Sequence, residues 1–293
     1  MLLAAVGLWA AELALNALGV GAGDWAFVAN ALYYLPFMLL PAAAYMARRH
    51  GLSDSVRLNP LSLRGALAAA ALALLSVYAA SGLASAWQLL LEALGLRAVE
   101  TAFQPDSVRA LMLAVVTMAA VPAVCEELLF RGLAFAAWES RGTWLAVGAT
   151  SALFALLHGN LFGLPAYLLV GGVSGFMVFA LNSLYAGIIY HTVYNAACLV
   201  IPWMLADRSV PEAPIDGGMI AAMAFETLAV LAMMAVLLAA LRLRARARGI
   251  MPVPRDRRPL AAKERIMLLA AVLAMLANNV IIAALAAGTG GGA

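Results

Sequence analysis

The chain has 293 residues, of which 66% are hydrophobic and only 11% are charged, and its mean hydropathy is +0.96. Soluble domains carry roughly 25% charged residues, so this composition excludes an ordinary soluble globular protein and indicates a membrane protein. The apolar stretches are rich in Ala, Leu and Met and lack the alternation of barrel strands, which favours helices. We therefore predict an all-α fold, a polytopic bundle of transmembrane helices.

Nine apolar segments are candidates for these helices, and at about 20 residues per span the chain has room for eight or nine of them. The first contains Glu12 and has no basic residue before it, so we expect a membrane helix rather than a cleaved signal. The fifth is short for a full span, and we expect it either to end inside the protein or to continue through Gly159 and Asn160. In chain order the segments cover residues 2–18, 25–46, 66–91, 111–138, 144–158, 165–181, 184–205, 219–241 and 266–287.

The basic residues predict the orientation in the membrane. When loops are assigned alternately to the two sides, most of the 18 Lys and Arg residues fall on one side, which the positive-inside rule places in the cytoplasm. This alternation needs nine spans, with the N-terminus in the cytoplasm and the C-terminus outside. The basic cluster at 242–265 lies between two apolar segments, so we expect it to contact anionic lipid headgroups and not nucleic acid. The other basic residues on this side are Arg48, Arg49, Arg57, Arg64 and Arg141.

Polar side chains interrupt three of the apolar segments. Ionisable groups at membrane depth are costly, so they indicate a functional site. At a helical rise of about 1.5 Å per residue, Glu126, His158 and His191 fall at similar depth in the cytoplasmic half of the bilayer. A buried polar network that only specifies helix packing is the alternative interpretation. The polar residues concerned are Glu126, Glu127, Arg131, His158, His191 and Asn195.

The two adjacent glutamates are predicted to differ in role. Glu127 and Arg131 are spaced i, i+4, which is the geometry of an intrahelical ion pair, and an arginine in lipid needs such a partner. Glu126 points about 100° away around the helix and is left free to face a cavity. Pro122, one turn earlier, removes a backbone hydrogen bond and is expected to bend the helix just before the site.

A carboxylate beside a histidine in a partly dry cavity is suited to the activation of water. Glu126 would accept a proton from a water molecule that His158 helps to hold. His191 and Asn195 lie four residues apart on one helical face and would donate hydrogen bonds to the oxyanion formed when water attacks an amide.

Three motifs in order resemble the CPBP family, which includes the type II CAAX prenyl endopeptidases and the Abi-type bacteriocin-processing and immunity proteins. They are Glu-Glu-x-x-x-Arg at 126–131, Phe-x-x-x-His at 154–158 and His-x-x-x-Asn at 191–195, and the resemblance covers roughly residues 110–203. It implies an intramembrane endopeptidase of the glutamate type without a metal. By similarity, Glu126 and His158 activate the water, His191 and Asn195 stabilise the oxyanion, and Glu127 and Arg131 support the site.

The apolar segments and the positions of the motifs also predict how the chain is organised. Residues 1–64 are expected to hold two membrane helices and a cytoplasmic loop, and 65–241 the catalytic membrane core. Residues 242–293 are expected to hold the basic cytoplasmic loop, a last membrane helix and a short tail. The expected partners are a peptide or protein substrate and membrane lipids, and the resemblance allows a prenylated CAAX-type substrate.

Three alternatives remain at the level of sequence. Zinc hydrolases use three protein ligands, and Glu126, His158 and His191 supply that number, although the chain has no His-Glu-x-x-His helix. Buried carboxylates also serve as proton or cation relays in transporters and channels, but no internal repeat typical of transporters is visible. The third alternative is a non-catalytic membrane scaffold or immunity protein. None of the motif residues is missing, which argues against it.

Overall fold

The computed structural model of the protein describes residues 31–48 except residue 33, then 56–96, 105–206 and 216–252, and scattered positions between 262 and 277. The regular structure in these ranges is entirely helical. The predicted segment 2–18, the start of the second segment and most of the ninth lie outside the described residues.

Seven helices are described, and five of them are long and apolar enough to cross a membrane: α2, α3, α5, α6 and α7. The prediction of an all-helical, multi-pass membrane protein is therefore confirmed. A π-helical turn, Leu35–Leu39, leads into the first helix. The helices are α1, Leu40–Arg48; α2, Leu63–Ala93; α3, Val108–Glu139; α4, Thr143–Leu157; α5, Leu164–Leu181; α6, Leu184–Leu205; and α7, Gly217–Ala247.

Side-chain caps fix where three of the long helices begin. The side chains of Ser62, Ser107 and Asp216 each accept a hydrogen bond from the backbone N–H three residues later, so α2, α3 and α7 start immediately after these polar residues. Helix α4 ends at Leu157, and Gly159 follows with φ +63°, a left-handed conformation that terminates helices. The fifth apolar segment therefore ends as a helix at Leu157 and does not continue as a helix through Gly159 and Asn160, which was the second of the two outcomes expected for it.

Helix α3 alternates between α-helical and π-helical geometry. A first π-helical segment, Val115–Ala120, closes with a bond from the Val121 N–H to the Val116 carbonyl five residues earlier. Pro122 follows directly and has no N–H to give to the Met118 carbonyl, so the wider turn lies where the α-helical ladder is broken. A second π-helical segment covers Leu128–Ala134. Glu126 and Glu127 lie in the short α-helical stretch between the two.

Helix α2 lies at the centre of the bundle and packs against α5, α6 and α7. The hydroxyl of Tyr190 on α6 donates to Ser76 on α2 at 2.8 Å, and both side chains are fully buried. On the other flank, Tyr78 donates to the carboxylate of Glu226 on α7, which gives this glutamate a structural partner. The bond between Tyr190 and Ser76 holds α6, which carries two of the predicted site residues, against α2.

A polar cluster joins the end of α3 to the turn between α5 and α6. We call it the Arg57 clasp, and its members are Arg57, Asn59, Glu139, Asn182 and Ser183. The guanidinium Nη2 of Arg57 donates to both carboxylate oxygens of Glu139, at 2.7 and 2.8 Å, and its Nε donates to Asn182 Oδ1 at 3.1 Å. Asn59 Nδ2 donates to the Asn182 carbonyl at 2.9 Å, and Ser183 Oγ donates to the Asn59 carbonyl at 2.7 Å. From the sequence, Arg57 was predicted only to be a basic residue on the cytoplasmic side, and its contacts with Glu139 and Asn182 were not predicted.

Candidate active site

Glu127 is the centre of a buried hydrogen-bond network. Its Oε1 accepts from Arg131 Nη1 at 2.9 Å and lies 3.0 Å from His191 Nδ1, while its Oε2 accepts from Ser174 Oγ at 2.7 Å. All four side chains are almost completely buried. The ion pair that the i, i+4 spacing predicts is confirmed. The bonds of Glu127 to Ser174 and His191 join α3 to α5 and α6.

Arg131 is enclosed by the same helices. Its Nη2 donates to the Gly171 carbonyl on α5 at 2.9 Å, and its guanidinium lies 4.7 Å from the centre of the Phe154 ring on α4. A Cβ on Gly171 would lie 3.0 Å from Ser151 Cα and 3.3 Å from Arg131 Nη2, so the glycine allows α4 and α5 to approach closely here. The arginine is thereby paired and hydrogen-bonded, as a buried charge requires.

Glu126 has a different environment from its neighbour. Its side chain is also buried, with 5% exposed, but Oε2 has no hydrogen-bond partner among the described residues. The nearest basic atom to that oxygen is His191 Nε2 at 3.9 Å, beyond hydrogen-bond distance. An unpaired buried carboxylate oxygen is costly, and polar groups separated by this distance are suited to sharing a water or substrate atom.

The contacts of His191 determine which of its nitrogens carries hydrogen. A carboxylate oxygen only accepts, so the Nδ1 that lies against Glu127 is the protonated nitrogen. The Nε2 on the other side of the ring then faces Glu126. It is a lone-pair acceptor in the neutral imidazole and a donor in the imidazolium, whose charge Glu127 would balance.

His158 follows the last residue of α4, and its ring is held in a similar way. Its Nδ1 lies 2.8 Å from the Phe154 carbonyl oxygen, which only accepts, so Nε2 is the free nitrogen. The ring stacks on Tyr167 of α5 with centroids 4.0 Å apart and an interplanar angle of 22°. Phe154 lies between the two imidazoles, with centroids 4.6 Å from His158 and 5.4 Å from His191. Unlike His191, the His158 side chain is exposed at the protein surface.

The predicted residues are thus joined to different extents. One group of neighbouring side chains comprises Glu126, Glu127, Arg131 and His191. His158 adjoins this group through the ring of Phe154. Asn195 lies one turn after His191 on α6, is partly buried and has no hydrogen bond to another described residue. Its amide is therefore available to a ligand.

No group of three His, Cys, Asp or Glu side chains within the described ranges has the proximity needed to hold a metal ion. The zinc set considered from the sequence, Glu126, His158 and His191, does not converge in this arrangement.

Two side chains of the site were not singled out from the sequence. Ser174 and Tyr167 both lie on α5 and contact Glu127 and His158, respectively. The available signal for Ser174 was a hydroxyl in the small-residue run from Gly171 to Gly175. That signal is weak, because a serine in a membrane helix commonly bonds to its own backbone.

Comparison with protein families gives a match over the same helices. The family described as type II CAAX prenyl endopeptidase Rce1-like matches residues 108–197, from the start of α3 into α6. No curated protein and no solved structure matches the chain. Residues 108–197 are therefore a domain of this CPBP family, and the resemblance drawn from the three motifs is confirmed. Membership in it implies an intramembrane protease.

Proposed function

We propose that the protein is an intramembrane endopeptidase that hydrolyses a peptide bond with a water molecule activated by Glu126. One observation carries the proposal: a buried carboxylate oxygen of Glu126 has no hydrogen-bond partner among the described residues, while both oxygens of the adjacent Glu127 are hydrogen-bonded. A carboxylate kept for structure would be expected to be bonded like Glu127. A carboxylate that accepts a proton during a reaction needs a free oxygen directed at the water.

The proposed reaction uses the side-chain atoms of the site that have no hydrogen-bond partner among the described residues. Water attacks the carbonyl carbon of the substrate as Glu126 takes one of its protons, and His158 Nε2 accepts a hydrogen bond that helps to hold the water. The carbonyl oxygen becomes an oxyanion, to which Asn195 Nδ2 and the imidazolium Nε2 of His191 donate. The C–N bond then breaks, and the proton on Glu126 passes to the departing amine. Glu127 and Arg131 orient His191 without contacting the substrate.

The substrate class is proposed from the family match. A peptide or protein substrate reaches the site from the cytoplasm or the bilayer, and a prenylated CAAX-type protein is the substrate that the family description favours. A zinc-dependent protease using Glu126, His158 and His191 remains the mechanistic alternative. It would require these three side chains to come closer together than they are here.

The membrane arrangement is part of the same proposal. We infer eight or nine spans, with the N-terminus in the cytoplasm and the C-terminus outside, from the distribution of basic residues. The regions 1–64, 65–241 and 242–293 would form the N-terminal helices, the catalytic core, and the basic loop with the last helix and tail. The basic loop would contact anionic lipid headgroups, and we propose no nucleic-acid partner.

The test is product identification in cells. Mass spectrometry of membrane and secreted peptides should be compared between cells with the wild-type protein, with Glu126→Gln and with Glu92→Gln as an exposed carboxylate control. We expect a set of new peptide termini that disappears with Glu126→Gln and persists with Glu92→Gln. Identical termini in all three samples, at equal protein levels, would refute the endopeptidase.

A further inference from the structure

Ser174 uses its hydroxyl differently from most hydrogen-bonded serine and threonine residues of these helices. Five such residues donate to the backbone carbonyl four residues earlier in their own helix: Ser76, Ser81, Thr117, Thr150 and Ser151. This is the usual arrangement for serine and threonine in apolar helices. Ser174 instead donates across the bundle to Glu127 on α3. The other exception is Thr143 at the start of α4, which donates to Glu139 on α3 at 3.3 Å.

The bond from Ser174 completes the coordination of a single carboxylate. Glu127 Oε1 is already occupied by Arg131 and His191, and the hydroxyl is the only donor to Oε2 among the described residues. Both Ser174 and Glu127 are 0% exposed, so no bulk water competes for that oxygen. At 2.7 Å the contact has the length of a hydrogen bond to an ionised carboxylate.

Gly187 on α6 leaves the space in which this bond forms. A Cβ there would lie 2.6 Å from Glu127 Oε2 and 3.0 Å from Ser174 Oγ. Any larger residue at this position would push the carboxylate or the hydroxyl away. The glycine on α6 and the serine on α5 therefore select the same orientation of a side chain on α3.

We propose that Ser174 is a positioning residue, which fixes the carboxylate plane of Glu127 so that His191 stays directed at Glu126. This inference rests on the proposed function of the site. Without the hydroxyl, the carboxylate can rotate about its last torsion, and Oε1 no longer holds the Nδ1–H of His191 in one place. A carboxylate that accepts the N–H of a functional imidazole orients the ring, and the groups that hydrogen-bond to such partners affect activity although they never contact the substrate.

Kinetics test the consequence for the reaction. With an internally quenched peptide carrying a farnesylated cysteine as the probe, we expect Ser174→Ala to lower kcat about 10- to 100-fold, the range of one hydrogen bond to a charged group, with KM nearly unchanged. Ser151→Ala is the matched control, because it deletes a buried hydroxyl on α4 whose one bond within the described part of the chain goes to Val147 of its own helix. A Ser174→Ala enzyme with wild-type kcat overturns the proposal.

An NMR measurement tests the same inference without any activity. The chain has three histidines, so ¹⁵N-histidine labelling gives few signals, and the His191→Gln variant assigns the Nδ1–H resonance of His191. We expect Ser174→Ala to shift that resonance and Ser151→Ala to leave it in place. An unchanged resonance in Ser174→Ala overturns the positioning role. If the wild type hydrolyses no peptide, the proposed function fails, and the resonance still decides whether Ser174 positions His191.

Discussion

The Nδ1 of His191 lies 3.0 Å from Glu127 Oε1, and the opposite face of the same ring directs Nε2 toward Glu126, 3.9 Å away. One imidazole thus separates two adjacent glutamates of the same helix and contacts only one of them. The pair Glu127 and His191 has the orientation of a carboxylate that holds a histidine in one tautomer. The two carboxylates are therefore expected to respond differently to the same substitution.

Glu126→Gln should abolish hydrolysis while the protein remains folded, because an amide cannot accept the proton of the attacking water. We expect kcat to fall by at least about 10²-fold, the lower range for loss of a general base, with the melting temperature close to that of the wild type. Glu126→Gln protein with wild-type turnover would contradict the assignment.

Glu127→Gln should reduce stability as well as activity. It leaves the buried Arg131 without its counter-ion and removes an acceptor from His191 and Ser174. Breaking a buried ion pair in this way costs about 3–5 kcal/mol in soluble proteins, so we expect a clear loss of thermal stability and of expression. Thermal unfolding in detergent measures the difference, and equal melting temperatures for the two glutamine variants would count against the structural role of Glu127.

Tyr167→Leu should lower kcat by removing the ring on which His158 stacks. Aromatic pairs contribute about 0.5–1.5 kcal/mol beyond burial, so the expected decrease is about two- to tenfold, and Tyr167→Phe should retain most of the activity. Tyr185→Leu is the control, since Tyr185 lies exposed on α6. If Tyr167→Phe and Tyr167→Leu lose activity equally, the hydroxyl and not the ring is responsible.

Arg57→Gln should destabilise the protein by about 1.5–3 kcal/mol, the range for hydrogen bonds to charged groups. It removes the two bonds to Glu139 and the bond to Asn182 that join helix ends in the Arg57 clasp. Arg64→Gln provides the comparison, because Arg64 lies exposed near the start of α2. Thermal unfolding of both variants should show a loss for Arg57→Gln alone, and equal melting temperatures would show that the clasp contributes nothing measurable.

Chelation should leave the activity intact. A mechanism with Glu126 as the base needs no divalent ion, so turnover after chelator treatment and gel filtration should equal that of untreated protein. Elemental analysis of the same sample accompanies the assay. Stoichiometric zinc whose removal abolishes turnover, and whose return restores it, would establish the metalloprotease alternative.

Much of this site could be predicted from the sequence, because the evidence lies in local spacing. The i, i+4 relation of Glu127 and Arg131 is fixed by helix geometry alone, and the structure contains the pair. The apolar segments also predicted helices α2 to α7. For α4 the sequence left open whether the helix stops or continues through Gly159 and Asn160, and it ends at Leu157. The span count and orientation depend partly on segments outside the described residues and stay predictions.

The contacts between distant segments could not be predicted in this way. The bond from Ser174 to Glu127 spans 47 positions and that from Arg57 to Asn182 spans 125, and no periodicity relates residues so far apart. The π-helical segments of α3 were missed for another reason. Pro122 predicted a disturbance of the ladder at that point, but whether a helix bends or widens there depends on how its neighbours pack.

The π-helical segments of α3 determine how this helix would respond to the deletion of a single residue. A π-helical turn holds one residue more than the α-helical ladder requires, so deleting a single residue within Val115–Ala120 could restore regular helix without a gap. That deletion would leave Val108–Ala114 close to its present rotational phase relative to Glu126, because only the extra residue is removed. A deletion in the regular α-helical stretch that begins at Val121 would instead rotate Val108–Ala114 by about 100° and turn the buried Ala110 and Ala114 out of their contacts. The rotational phase between the start of α3 and its two glutamates is thus encoded in the length of the helix as well as in its composition.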